Sequence, residues 1–178
     1  MRTLLATLLV LALAAPAAAL AAKRPGTGSL SIEGGRGLIT IKAQGGALGK
    51  VRGAVLITDL TPNDKWRPIV NGVTVPGAVW VRARELSFRI LGGRFKIQIR
   101  GEGVSVSVRG VGHAVLRGQP DPLGQTGIYA TGESADCVAE PEVCQPVPME
   151  PTRVAFGPVE PVDPGEPARK PETRPAAQ

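Results

Sequence analysis

The sequence predicts an all-β fold, a small antiparallel β-sandwich or barrel of about 8–10 short strands. Three observations predict it. Apolar and polar residues alternate through most of residues 25–131. Glycines break that alternation at spacings suited to tight turns. No stretch of this region sustains a helical period, so no crossover helices exist to build a parallel doubly wound sheet. A short β-helix is the architectural alternative, because glycine-punctuated strands also build solenoids.

The N-terminal element, MRTLLATLLVLALAAPAAALAA (1–22), reads as a signal peptide with its helical apolar segment. Arg2 supplies the positive start, and residues 4–15 form an apolar run too short to anchor across roughly 30 Å of hydrocarbon. Pro16 breaks the run, and Ala19-Leu20-Ala21 offers the small residues a signal peptidase needs. No cysteine stands near that site, so a lipoprotein anchor is not expected, and no later apolar run reaches membrane-spanning length. The expected product is a secreted or cell-envelope associated, extracytoplasmic chain in which disulfides persist and ATP-driven chemistry has no supply.

Residues 23–132 read as a glycine-punctuated basic β domain. Leu30 and Ile32 alternate with Ser29 and Ser31, and Leu38, Ile39 and Ile41 follow. Residues 51–60, 79–84 and 86–91 are further apolar-rich runs. Phe95, Ile97 and Ile99 oppose Arg94, Lys96, Gln98 and Arg100; Val104, Val106 and Val108 oppose Ser105, Ser107 and Arg109. Residues 114–116 and 128–130 end the series. Gly34-Gly35, Gly45-Gly46, Gly92-Gly93, Gly101 with Gly103, Gly110 with Gly112, and Gly118 are expected to turn the chain between strands. SIEGGRGLITIKAQGGA (31–47) and QIRGEGVSVSVRGVGHA (98–114) share one pattern, which a duplicated hairpin or the limited vocabulary of glycine-rich β structure explains equally. Aromatic residues are few, so Val, Ile, Leu and Ala must fill the interior, a composition suited to pleated surfaces.

Residues 133–178 read as an acidic, proline-rich tail. Ten of the 17 prolines fall there, and from about Gln145 onward the segment is expected to be disordered and partly polyproline II. Charge divides the same way. Residues 23–131 hold 16 Lys and Arg against 6 Asp and Glu; residues 132–178 hold 4 against 9. Cys137 and Cys144, the two cysteines, are expected to form a small disulfide loop. A zinc site would need more ligands than these and the distant His113 supply.

GSLSIEGGRGLITIKAQGG, GAVLITDLTPND, GGRFKIQIRGEGVSVSVRG and GIYATGE together resemble a group of uncharacterised exported glycine-rich β proteins of high-GC Gram-positive bacteria. The resemblance spans residues 26–132 and rests on glycine motifs. It implies a small exported β domain and brings no activity with it.

The chemistry on offer is sparse. A serine triad requires a histidine base, and the one histidine, His113, sits in an alternating strand. No phosphate-loop signature, cofactor motif or metal-ligand spacing is present, so no cofactor is expected. The expected function is non-enzymatic. The basic side chains Arg82, Arg84, Arg89, Arg94, Lys96, Arg100, Arg109 and Arg117 recur across successive strands and are candidates for binding a polyanion, such as an anionic wall polymer or lipid headgroups. The alternative is a solvated sheet face, or one covered by the acidic tail. Few aromatic residues interleave with these cations, which argues against specific nucleic-acid binding. Two other readings stand beside this one. A cell-wall glycan-acting enzyme would place its site in the 59–72 loop, with Asp59 and Asp64 as carboxylates. Trp66 in that loop is a candidate for stacking on sugar. A structural or self-associating envelope subunit would pair through open strand edges.

Overall fold

The structure, a computed structural model, describes residues 27–61, 67–75 and 78–158. The signal segment, Asn63, Asp64, Trp66 and the tail beyond residue 158 lie outside the described residues. Within them the chain is all-β. Its strands are β1 (Gly28–Asp59), β2 (Ile69–Val70), β3 (Val73–Thr74), β4 (Val79–Ile90), β5 (Arg94–Gly118), β6 (Ile128–Gly132), β7 (Gln145–Pro146) and β8 (Thr152–Phe156). They form one sheet with the main order β3-β2-β4-β1-β5-β8, not closed into a barrel. Every pairing is antiparallel, unlike the parallel coils of a β-helix.

The strands are not uniformly short. β1 runs for 32 residues and β5 for 25, and most of the glycines expected to turn the chain lie inside them. Gly34-Gly35, Gly45-Gly46, Gly101, Gly103, Gly110 and Gly112 are all strand-internal; only Gly92-Gly93 connects two strands, β4 and β5. β1 and β5 pair with each other along two ladders. In one, Leu30 faces Val108 and Ile39 faces Ile99; in the other, Ile39 faces Leu116 and Val55 faces Ile99. Each long strand therefore lies beside the other twice.

Glycine makes this geometry possible. Gly45 and Gly110 face each other with φ of 143° and 146°, backbone conformations that L side chains rarely adopt. A Cβ on Gly45 would strike the Arg109 carbonyl, and one on Gly110 the Gln44 carbonyl. Glycine inside a strand marks a bulge or a close backbone approach. The burial pattern records a second effect of glycine, at Gly34-Gly35 in β1 and at Gly101 and Gly103 in β5. Buried β1 positions shift from Leu30 and Ile32 to Ile39, Ile41 and Ala43, and buried β5 positions from Phe95, Ile97 and Ile99 to Val104, Val106 and Val108. Each shift changes the phase of the alternation across a glycine pair, where the ladder register also shifts.

The buried face forms one apolar cluster, drawn from β1, β4 and β5 with Val70, Val147 and Phe156 added. Phe88, Phe95 and Phe156 are its aromatic members, and Tyr129 packs against it. Trp80, in contrast, is 43% exposed.

Residues 145–158 do not follow the expected disorder. β8 pairs with residues 112–116 of β5, and β7 with β6. Val147 and Phe156 are buried in the core. The prolines between them fall at strand ends and connections, where a missing N–H costs no ladder bond. The Cys137–Cys144 disulfide is present. Its loop lies on Ser29 and Ser31, which are 2% and 5% exposed. The Ser29 hydroxyl accepts from Ala135 N–H at 2.6 Å, and that of Ser31 from Cys137 N–H at 2.9 Å. Residues that alternate as a polar strand face are thus covered by the acidic segment.

The 59–72 region also holds order that composition obscures. Asn71 and Gly72, with φ of 49° and 79°, form the two-residue turn between β2 and β3, and Asn-Gly suits a turn of this hand. The Asn71 side chain accepts from Ser87 N–H at 2.8 Å, tying the hairpin to β4.

Candidate polyanion-binding face

The ladder registers say which basic residues share a surface. Across one row, Arg82 of β4 faces Ala54 of β1, Ala54 faces Arg100 of β5, Arg100 faces Leu38 of β1, and Leu38 faces Arg117 of β5. Cross-strand neighbours of this kind stand about 5 Å apart at Cβ. Four residues along β1 and β5, Lys96 faces Lys42, and Lys42 faces His113. Between these rows, Gln98 faces Thr40, Thr40 faces Val115, and Val115 faces Arg153 of β8. The outward positions of these segments contain no Asp or Glu. Leu38, Trp80 and Val111 are the exposed large apolar residues among them, at 39%, 43% and 43%.

Arg82, Lys96, Arg100 and Arg117 therefore stand together. Arg94 lies one row farther, opposite Gln44. Arg84 falls at the register shift between β1 and β4 and lines a depression with Arg100. Arg89 and Arg109 are placed elsewhere, beyond the Gly45–Gly110 pair. Arg89 faces Leu48 and Ile69, and Arg109 faces Gly46 and Ser29 near the disulfide loop. Lys42, His113, Trp80 and Arg153 join the surface although none was a sequence candidate. Lys42 and His113 carried a usable signal, since both are polar members of alternating runs. Arg153 carried none, because its segment read as unstructured.

The described part of the tail, residues 133–158, does not cover this surface. It lies over Ser29 and Ser31 and extends the sheet through β8, adding a cation at the edge. A charge effect is visible at His113. Burial, then the positive charges of Arg153 and of Lys42, hold its pKa below the usual 6.5. The sign of the linkage follows. As pH falls below 6.5 the unfolded chain takes up a proton before the folded chain does, so stability declines between 6.5 and the folded-state value and levels off below it. His113→Gln should remove that contribution. Urea midpoints measured from pH 7.5 to 5 should fall less steeply for the variant than for the parent, and parallel curves would refute the assignment.

The described ends of the 59–72 loop give Asp59 a local structural part. One carboxylate oxygen accepts from Thr61 N–H at 2.8 Å, and the other lies 3.5 Å from Arg67. The carboxylate joins the two ends of the loop. Asp64 and Trp66 lie outside the described residues. No described helix is long and apolar enough to cross a membrane. No family model, no curated protein and no solved structure matches the chain.

Proposed function

We propose that this chain is an exported, non-enzymatic β protein that associates with the anionic cell envelope through the basic face of its sheet. One observation carries the reading: Arg82, Arg100, Arg117, Lys96, Lys42 and Arg153 occupy the outward positions of neighbouring strands with no carboxylate interspersed. An isolated charge on a sheet is ordinary solvation. A continuous surface of one sign sums its potential and attracts a polymer of the opposite sign. The basic body and acidic tail, divided near residue 132, set the direction of that field. Extracytoplasmic location draws support from the signal-like N-terminus and from the disulfide.

The exposed Trp80 and Leu38 add apolar contact to a surface that would otherwise hold its ligand by charge alone. Such binding is strongly salt-dependent, because exposed charges are screened over about 10 Å at 0.1 M salt. The secreted full chain should bind purified anionic wall polymer, and its affinity should drop by about tenfold or more between 50 and 200 mM salt, by analogy with other cation-rich polyanion binders. Vesicles containing anionic lipid form the second arm and separate polymer from headgroup as the source of charge. Equal binding at low and high salt would defeat the charge argument.

A further inference from the structure

We infer that the depression beside the Gly53–Gly101 pair is a binding site for a single phosphate group. Arg36, Arg52, Arg84 and Arg100 line it, with Gly53, Gly101, Glu102 and Gln119. Its volume is about 510 Å³. The inference rests on reading this side of the sheet as anion-binding and narrows that reading to one chemical group.

The local sequence explains why four guanidinium groups meet there. Gly53 and Gly101 face each other across β1 and β5 with no room for a Cβ; one on Gly101 would strike the Arg52 carbonyl, and one on Gly53 the Arg100 carbonyl. The floor of the depression is therefore bare backbone. Register shifts occur at this point in the β1–β4 ladder, between Val51 and Gly53, and in the β1–β5 ladder, between Lys50 and Arg52. Arg52 and Arg84 sit at the shift, Arg100 precedes Gly101, and Arg36 follows the Gly34–Gly35 irregularity in β1. The irregularity that bends the sheet thus also gathers the arginines.

Glu102 is the one carboxylate lining the site. It holds Arg36 at 3.5 Å and Arg52 at 3.6 Å, bracing both side chains. Arg84 and Arg100 have no carboxylate partner within 4 Å among the described residues. The site therefore carries an excess of positive charge on groups of a particular shape. Guanidinium presents a planar fork of donors that matches two oxygens of a phosphate at once, which lysine cannot do. Glu102 adds selectivity of charge. A weakly charged ligand cannot displace its hold on Arg36 and Arg52, whereas a phosphate engages Arg84 and Arg100 directly. The phosphate can be a terminal monoester or a linking diester of an envelope polymer.

The test uses the secreted full chain with inorganic phosphate as probe, followed by NMR of the arginine Nε–H signals at constant ionic strength. Dimethyl phosphate, a diester mimic, forms the second arm. Phosphate should shift Arg84 and Arg100 signals in a saturable way, where chloride at equal ionic strength does not. Arg84→Gln with Arg100→Gln should weaken phosphate binding tenfold or more, and Glu102→Gln should strengthen it. Lys42→Gln with Lys96→Gln should leave phosphate binding unchanged while weakening wall-polymer binding. A dimethyl phosphate response assigns the site to a chain link; a response to inorganic phosphate alone assigns it to a chain end. If phosphate leaves Arg84 and Arg100 unmoved, or the double arginine variant binds it as the parent does, the phosphate site is refuted whatever the polymer result. If wall polymer binds the Lys42, Lys96 variant undiminished while phosphate still titrates Arg84 and Arg100, the site stands and the wider face falls.

Discussion

Gly110→Ala should cost more than about 3 kcal/mol, a large part of the 5–15 kcal/mol that holds a domain of this size together. Two effects combine. At φ 146° an L residue is strained, and backbone held in such regions costs about 1–3 kcal/mol. The new methyl would also meet the Gln44 carbonyl, with Gly45 directly across the ladder, so the two strands must separate. Separation is expensive because Gly110 faces Gly28 in one ladder and Gly45 in the other, so both pairings of β5 with β1 meet at this residue. Gly132→Ala is the control. Nothing lies within 4 Å of its built Cβ, and its φ is ordinary. Its cost should stay within about 0.5 kcal/mol. Urea denaturation of both variants reads the difference. A Gly110→Ala midpoint equal to that of the parent would show that the Gly45–Gly110 contact does not constrain the fold.

The same glycines explain how far the fold was legible from residues alone. Alternation identified the β class and many of the buried positions: Leu30, Ile32, Ile39, Ile41, Ile97, Ile99, Val104, Val106 and Val108 all face the core. It misplaced the connections. A glycine pair that breaks the alternation looks the same in sequence whether the chain reverses or merely bulges and continues in the opposite phase. In β1 and β5 the chain continues, in the opposite phase across Gly34-Gly35 and across Gly101 and Gly103, and in the same phase across Gly45-Gly46 and across Gly110 and Gly112, so several short strands are two long ones. Residue pattern also assigns a face without assigning a partner. Arg82, Arg100 and Arg117 share a row through pairings between residues up to 79 positions apart, such as Leu38 with Arg117, and no local signal encodes these. Arg89 and Arg109 follow the same alternation and still stand elsewhere. Proline density over the tail points to disorder, yet residues 145–146 and 152–156 pair with the sheet. What ordered the tail was the placement of Val147 and Phe156, two apolar side chains at positions the core could reach.

A chain ending at residue 132 should not fold stably, although the basic body it retains looks self-sufficient by composition. Three losses coincide. Phe156, 3% exposed, and Val147, 1% exposed, leave the core. Removing a buried phenylalanine side chain alone costs about 3–5 kcal/mol, so Phe156→Ala in the full chain should by itself shift the urea midpoint clearly. The β8 pairing along residues 112–116 is also lost, which leaves the backbone of β5 as a bare edge open to association. The disulfide loop goes too, uncovering Ser29 and Ser31 and removing the Ala135 and Cys137 N–H groups that donate to their hydroxyls. The truncated chain should therefore show no cooperative urea transition and should associate with concentration in sedimentation. A native-like transition at the parent's midpoint would mean the tail packs without supporting the core. Arg153→Gln separates structure from charge within the same strand. Its side chain is exposed, so stability should stay within about 0.5 kcal/mol. The pKa of His113 should rise and wall-polymer binding should weaken, because one of the positive charges acting on that imidazole is gone. β8 would then serve the molecule twice, with its inward residues closing the core and its outward arginine extending the face on which the proposed function depends.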